Sequence, residues 1–345
     1  MGDVRVPNGA SVKLGKVEGD LFVGSNARVQ AEDGRLVTVT GSAEFSGNAT
    51  LECELECESL RLERSGRLRT MGDLTVHRGL DVSNSIEVQG SVKAESVDVG
   101  GRIVARSISC KRMRVGGTAK VTETLQADSV EVGGKIQARG RLDVKNLQVG
   151  GKAELGGGAV TGTINIGGKF EASSSLEFGE LRIYGIGSLA AASNGRKIVA
   201  SGKLDAKGDL QCDEIDISGV ASVAGDCRAV RVEVNGKLDV SGSLTASERL
   251  DVHGSAGVSK ILSGGTLRVG GRLSAERAIF TGDAKLFGSL ETRSGLKANS
   301  VVVSGGTRCD GPIVAGKVDV GESGPRLSAH VWGQRIRVQA GTSQV

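Results

Sequence analysis

The stretch Val130-Glu-Val-Gly-Gly-Lys-Ile-Gln-Ala138 decides the fold. Its apolar residues fall in pairs two apart, Val130 with Val132 and Ile136 with Ala138, and polar residues stand between them. That spacing places each pair on one face of a strand. A 3.6-residue helical period fits it poorly. The glycine pair between the two strands reads as a corner. The pattern continues through Leu142 and Val144, then Leu147 and Val149, and meets another glycine pair at Gly150 and Gly151. One unit, counted from Gly134 to Gly151, is therefore three short strand faces and one glycine corner.

Working outward, Val-Gly-Gly stands at 99–101, 115–117, 132–134 and 149–151, and Ile-Gly-Gly at 166–168. The register runs on through Gly185, Gly202, Gly219 and Gly236. After one extra residue it resumes at Gly254, Gly271, Gly288 and Gly305. Backward, Asn84 holds the same place, and asparagine is the other residue that tolerates a left-handed corner. Units elsewhere repeat the three pairs, as Phe170 and Ala172, Leu176 and Phe178, Leu181 and Ile183 show.

Such a repeat predicts an all-β, single-stranded triangular β-solenoid. It would have about 17 residues per winding and about 19–20 windings. Residues 1–83 read as irregular N-terminal windings, with a loop or enlarged corner at Glu32 to Arg35. Residues 84–321 carry the regular repeat, and 322–345 form a last winding and a short tail. No linker divides them, so the chain reads as one elongated domain.

The composition agrees. The chain has 345 residues with 54 Gly but only 3 Pro, 1 Trp, 1 Tyr and 6 Phe. Glycine would serve corners that need positive φ or close backbone approach. Proline would be kept out because neighbouring windings want every N–H. A narrow interior would exclude large aromatics. No Gly-X-Y period exists, which excludes collagen, and evenly spread apolar residues argue against disorder. No apolar run is long enough to span a membrane, and the N-terminus lacks the apolar core of a signal peptide. A cytoplasmic protein is the expectation, with membrane-surface or cell-envelope partners as the alternative. The net charge of +4 comes from 44 basic and 40 acidic residues interleaved along the chain, unlike a nucleic-acid footprint.

Few motifs suggest chemistry. Gly185-Ile-Gly187-Ser-Leu-Ala190 matches a dinucleotide fingerprint, with Asp205 about 20 residues on. Gly185 nevertheless lies on the repeat register, so a solenoid corner is the expectation. Cys53, Cys57, Cys110, Cys212, Cys227 and Cys309 sit at inward offsets and read as small buried apolar groups. The scattered His77, His253 and His330 do not build a metal site with them. The basic residues after the marker glycines, Arg102, Lys135, Lys152, Lys169, Lys203, Lys237 and Arg272, read as a stripe. They are expected to pair with acids such as Asp143 and Asp239 and to limit sideways association. A basic strip for a partner is the alternative. No catalytic, cofactor-binding or metal residue is expected.

Solenoid ends expose unpaired strand edges unless a cap covers them. Strand-like pairs begin at Val4 and persist to Val338 without an amphipathic helix. Residues Val4, Val6, Val12 and Leu14 at one end, and Val331, Trp332, Ile336 and Val338 at the other, are therefore the expected self-assembly interface. Pro7 and Pro325 could blunt these ends.

Three features carry a resemblance to a known family. The first is the length of the winding, and the second is segments such as Val130-Glu-Val-Gly-Gly-Lys-Ile136 and Gly19-Asp-Leu-Phe-Val-Gly24. The third is the glycine- and valine-rich, aromatic-poor core. The chain resembles the bactofilins, polymer-forming cytoskeletal proteins with shorter cores that are flanked by disordered tails. The resemblance implies a right-handed triangular β-helix that polymerises end to end, without nucleotide, into non-polar filaments. Such filaments scaffold cell shape, organelle or chromosome positioning and cell-wall enzymes. The expected function is accordingly structural and non-enzymatic, with the chain itself as partner. The alternatives are a monomeric or small-oligomer binding scaffold, and a β-helix enzyme such as an acyltransferase or glycan lyase.

Overall fold

The computed structural model describes residues 2–63, 66–305 and 307–321, and beyond these the backbone of Leu327–Ser328 and Val331–Val338. It is all-β, 74% strand and 0% helix, with parallel coils about 17 residues apart. The turns number about 18 rather than the expected 19–20. The difference lies in the N-terminal region, where single turns are longer than the regular repeat. Lys16 aligns with Thr38 there, and Leu60 with Leu80.

Two compact units divide the chain, Met1–Ser174 and Ser175–Val345. In the first, the strands Arg102–Val115, Thr118–Val132, Lys135–Val149 and Lys152–Ile166 each run nearly a whole turn. Ile136 lies between Ala119 and Ala153, and Leu147 between Val130 and Ile164. All are buried. The three apolar pairs of a turn thus meet inside, and each stacks on its counterpart one coil away. The loop expected at Glu32–Arg35 is an enlarged corner. There Gly34 takes φ 76°, and Asp33 Oδ1 accepts the N–H groups of Arg35 and Leu36 at 2.9 and 3.2 Å.

The second unit repeats a short strand and a longer bent one. Lys203–Ala206 and Leu210–Ile217 are followed by Val220–Val223 and Cys227–Val234. Leu204, Leu210 and Ile215 mark the three faces, and all are buried. The extra residue before Gly254 is absorbed between Ala229 and Arg231, where the register shifts.

The marker glycines settle which of their two expected roles applies. Positive φ occurs at Gly9, Gly34, Gly157, Gly158 and Gly295, and among non-glycine residues at Asn26, but at no marker position among the described residues. Close approach is the cause instead. A Cβ on Gly134 would overlap the carbonyl oxygen of Gly117, the same oxygen that accepts the Lys135 N–H at 2.8 Å. Gly219 stands against Gly202 in the same way, with the Val220 N–H on the Gly202 oxygen at 2.9 Å. Asn84 therefore does not serve as a left-handed residue. It stands in the column one coil after Gly66, and its own carbonyl lies against Gly101.

Carboxylates and amides serve positions at all three corners. Side-chain Oδ1 atoms of Asn8, Asp20, Asn48, Asp73 and Asn146 in the first unit, and of Asp209 and Asp226 in the second, accept a backbone N–H from the following coil at 2.7–3.1 Å. Each satisfies a corner donor that the ladder cannot reach.

The interior is narrow but admits phenylalanine, at Phe45 between Val23 and Leu62 and elsewhere beside a small residue of an adjacent coil. Phe170 aligns with Ala153, Phe178 with Gly195 and Phe280 with Gly264. The Phe178 ring occupies the space a Gly195 Cβ would need. Aromatics are thus not excluded from the interior.

Candidate functional site at the first coil

The strands Val4–Val6, Ser11–Leu14 and Lys16–Val17 form the first coil. They pair with Leu21–Val23, Ala27–Ala31 and Leu36–Val39 on one side. On the other side, none of them has a strand partner among the described residues. In a parallel strand, alternate residues direct their N–H and C=O groups to opposite sides. Val4 donates to the Asp20 carbonyl and the Val6 carbonyl accepts from Gly24, both at 2.9 Å, so the intervening residue presents its backbone groups the other way.

Burial tells the same story. Val4, Val12 and Leu14 are half-buried, whereas Leu21, Val29 and Ala31, directly above them, are buried. Val6 and Val17 are already covered. The structure therefore groups the four expected residues Val4, Val6, Val12 and Leu14 on one coil, three of them incompletely shielded. Pro7 does not blunt this edge. It follows the strand Val4–Val6 and lies in a turn that its own carbonyl closes, accepting the Ala10 N–H at 3.2 Å. Beside it, the Arg5 guanidinium lies 4.5 Å from the centre of the Phe22 ring.

At the other expected end, the strand Val331–Val338 aligns with Ile313–Val320, placing Trp332 beside Val314 and Ile336 beside Val318. The side chains of Val331, Trp332, Ile336 and Val338 lie outside the described residues, as do Pro325 and His330.

The remaining sequence features resolve into structure. A strand begins at Ile186, directly after Gly185, and Asp205 aligns with Ser188 on its neighbour. No helix opens at these glycines. All six cysteines are free, and Cys110 alone is partly exposed. Burial pushes the thiols of Cys57, Cys110 and Cys227 up to about 12 and that of Cys53 to about 11. Those values disfavour the reactive thiolate. Among the described residues no group of three or more His, Cys, Asp or Glu could hold a metal ion, and no helix is long and apolar enough to cross a membrane.

Within the basic stripe, Lys135, Lys152, Lys169 and Lys237 pair locally, while Arg102, Lys203 and Arg272 have no ion pair among the described residues. Lys135 and Lys152 both bridge Glu154, the first at 3.0 Å, and Lys237 bridges Asp239 at 2.8 Å. The partner of Lys135 is Glu154 of the next coil and not Asp143. The Lys152 ammonium, with Gln137 and Lys135, holds the Glu154 carboxyl down at about 2.

One cluster was not visible in the linear sequence. Arg28, Arg67 and Arg69 line a surface groove with Asn26, Asn48 and Asn84. Arg28 aligns with Thr50, and Thr50 with Arg69. These two long turns bring the arginines onto one face. Only the exact turn lengths would have found them, and the N-terminal repeat is too irregular to supply those.

No protein-family model matches the chain, and neither any curated protein nor any solved structure does.

Proposed function

We propose that the protein is a non-enzymatic structural subunit that assembles with further copies of itself through the edge strands of its coils. The observation that supports this reading is the first coil. Its strands are paired on one side only among the described residues, and Val4, Val12 and Leu14 are less covered than their counterparts one coil on. An unpaired strand edge is a template for another strand. The edge of one copy, at Val4–Val6 and Ser11–Leu14, would pair with an edge strand of another copy. The bond pattern inside the stack would then continue across the junction. The resemblance to bactofilins supports the same reading and adds a cytoskeletal or scaffolding role in the cytoplasm, independent of nucleotide.

Negative-stain electron microscopy of the purified protein across salt and protein concentration tests the proposal. Filaments are expected without added nucleotide. Val12→Lys and Leu14→Glu place charges in the junction and should abolish them, while circular dichroism still reports β-structure. Single particles at every concentration, or variants that assemble like the parent chain, would overturn the reading.

A further inference from the structure

The groove of Arg28, Arg67 and Arg69 has no role in edge pairing, because its side chains stand on an outer face. Arg67 and Arg69 flank the inward Leu68 on one strand, Arg67–Thr70, so both point outward. Their Cα atoms are about 7 Å apart by strand geometry. Arg28 lies two coils from Arg69, about 10 Å by strand spacing. Arg28 is bridged to Glu52 at 3.1 Å, but Arg67 and Arg69 have no ion-pair partner among the described residues. Arg35, Arg78 and Lys111 on this unit each meet a glutamate, while Lys13, Arg61, Lys93 and Arg112, like Arg67 and Arg69, have no ion pair among the described residues; what sets the groove apart is that three arginines share one lining. The groove thus gathers three guanidinium groups, of which Arg67 and Arg69 carry no ion pair among the described residues and Arg69 stands in register with Glu87.

The lining narrows the ligand chemistry. Asn48 Oδ1 already accepts the Arg67 N–H at 3.0 Å, which leaves its amide nitrogen as a donor. Guanidinium groups match the oxygens of phosphate in a two-point fork. Spread over two coils, the three side chains can reach phosphate groups set in a row. No aromatic residue lines the groove, so there is no platform on which a base could stack. A ligand held here is recognised by its charge and the spacing of its anionic groups.

We propose that this groove binds a short linear chain of phosphate groups, laid along the coil direction from Arg28 to Arg69 with Arg67 alongside. Glu87, the one acid in the lining, sets a limit at the next coil beyond Arg69.

The test is isothermal titration of the full chain with sodium tripolyphosphate at low ionic strength. Saturable binding is expected, weakening steeply as salt rises. The double variant Arg67→Gln with Arg69→Gln should weaken it at least about tenfold, since bonds to charged donors are the stronger class. Both side chains are exposed, so the variant should keep the parent's circular dichroism. Arg112→Gln, on another face, should bind like the parent. Absence of binding at millimolar tripolyphosphate would overturn the proposal, as would a double variant that binds unchanged. Sedimentation with phosphatidylglycerol vesicles separates the sources. Vesicle binding that depends on Arg67 and Arg69, without tripolyphosphate binding, would assign the face to a lipid surface and refute the proposal.

Discussion

Replacing Gly134 by alanine should damage the fold far more than a glycine-to-alanine change normally does. The added Cβ would fall on the Gly117 carbonyl oxygen. That oxygen also accepts the Lys135 N–H at 2.8 Å, so the corner cannot open to admit a methyl group without losing the bond. The Gly134 carbonyl in turn accepts the Lys152 N–H at 2.9 Å, and any shift of the corner strains this contact too. Two backbone bonds at about 1–2 kcal/mol each place the loss at about 2–4 kcal/mol. Gly79→Ala is the matched control. Its Cβ would meet nothing closer than Ser96 Oγ at 3.4 Å, an ordinary contact, so the change should stay within about 0.5 kcal/mol. Gly134→Asn separates the two explanations for a corner glycine, because asparagine tolerates left-handed backbone but still carries a Cβ. It should be at least as damaging as alanine. Urea unfolding followed by circular dichroism measures all three, and hydrogen exchange at Lys135 and Lys152 localises the effect. Equal midpoints for Gly134→Ala and Gly79→Ala, or recovery in Gly134→Asn, would refute the close-approach account.

Other residues yield further expectations. Thr70 is fully buried between Leu51 and Val88, and its hydroxyl has no partner among the described residues, so Thr70→Val should stabilise the first unit by about 1–2 kcal/mol. A lower urea midpoint for that variant would contradict the reasoning. Glu154 is held below the ordinary carboxylate range at about 2, chiefly by Lys152. Its contribution is therefore present above the unfolded pKa, near 4.5, and fades as the pH falls towards 2. Glu154→Gln should lose under about 1 kcal/mol at neutral pH and nothing near pH 2, and a loss that persists in acid would argue against the pairing. Cys57 and Cys227 should resist a thiol reagent at pH 8 in the native protein, with Cys110 the first to react. Labelling of Cys57 within minutes, before unfolding, would show the core to be more open than described.

The regular coils were legible in the sequence because side-chain alternation and corner glycines recur at one period. Ile136, Leu142 and Leu147 sit where their spacing placed them, on three buried faces. The reason for the glycines was less legible. Positive φ and backbone crowding select the same residue, and only the position of the Gly117 oxygen separates them. The first-coil residues Val4, Val6, Val12 and Leu14 could be grouped on one coil because their two-residue spacing keeps the strand pattern. That three of them are partly exposed depends on the coil above, which the sequence alone does not position. Arg28 and Arg69 were hidden for a related reason. Their alignment runs through Thr50, across two turns whose lengths depart from the period.

The corner glycines also determine how such a chain can change length. From Gly117 to Gly168, each marker glycine meets the one before it through backbone atoms alone, so one corner there is interchangeable with the next. Excising residues 135–151 would bring Lys152 directly after Gly134 and reproduce the junction that Lys135 makes now. A whole coil can therefore be removed or duplicated while each remaining junction keeps its geometry. A single residue deleted inside a strand would turn the side chains that follow it in that strand to the opposite face. The natural irregularities in register sit at corners, as between Ala105 and Ser107 and between Ala229 and Arg231. The regular stack is graduated like a ruler, whose length is counted in coils of about 4.8 Å rather than in residues.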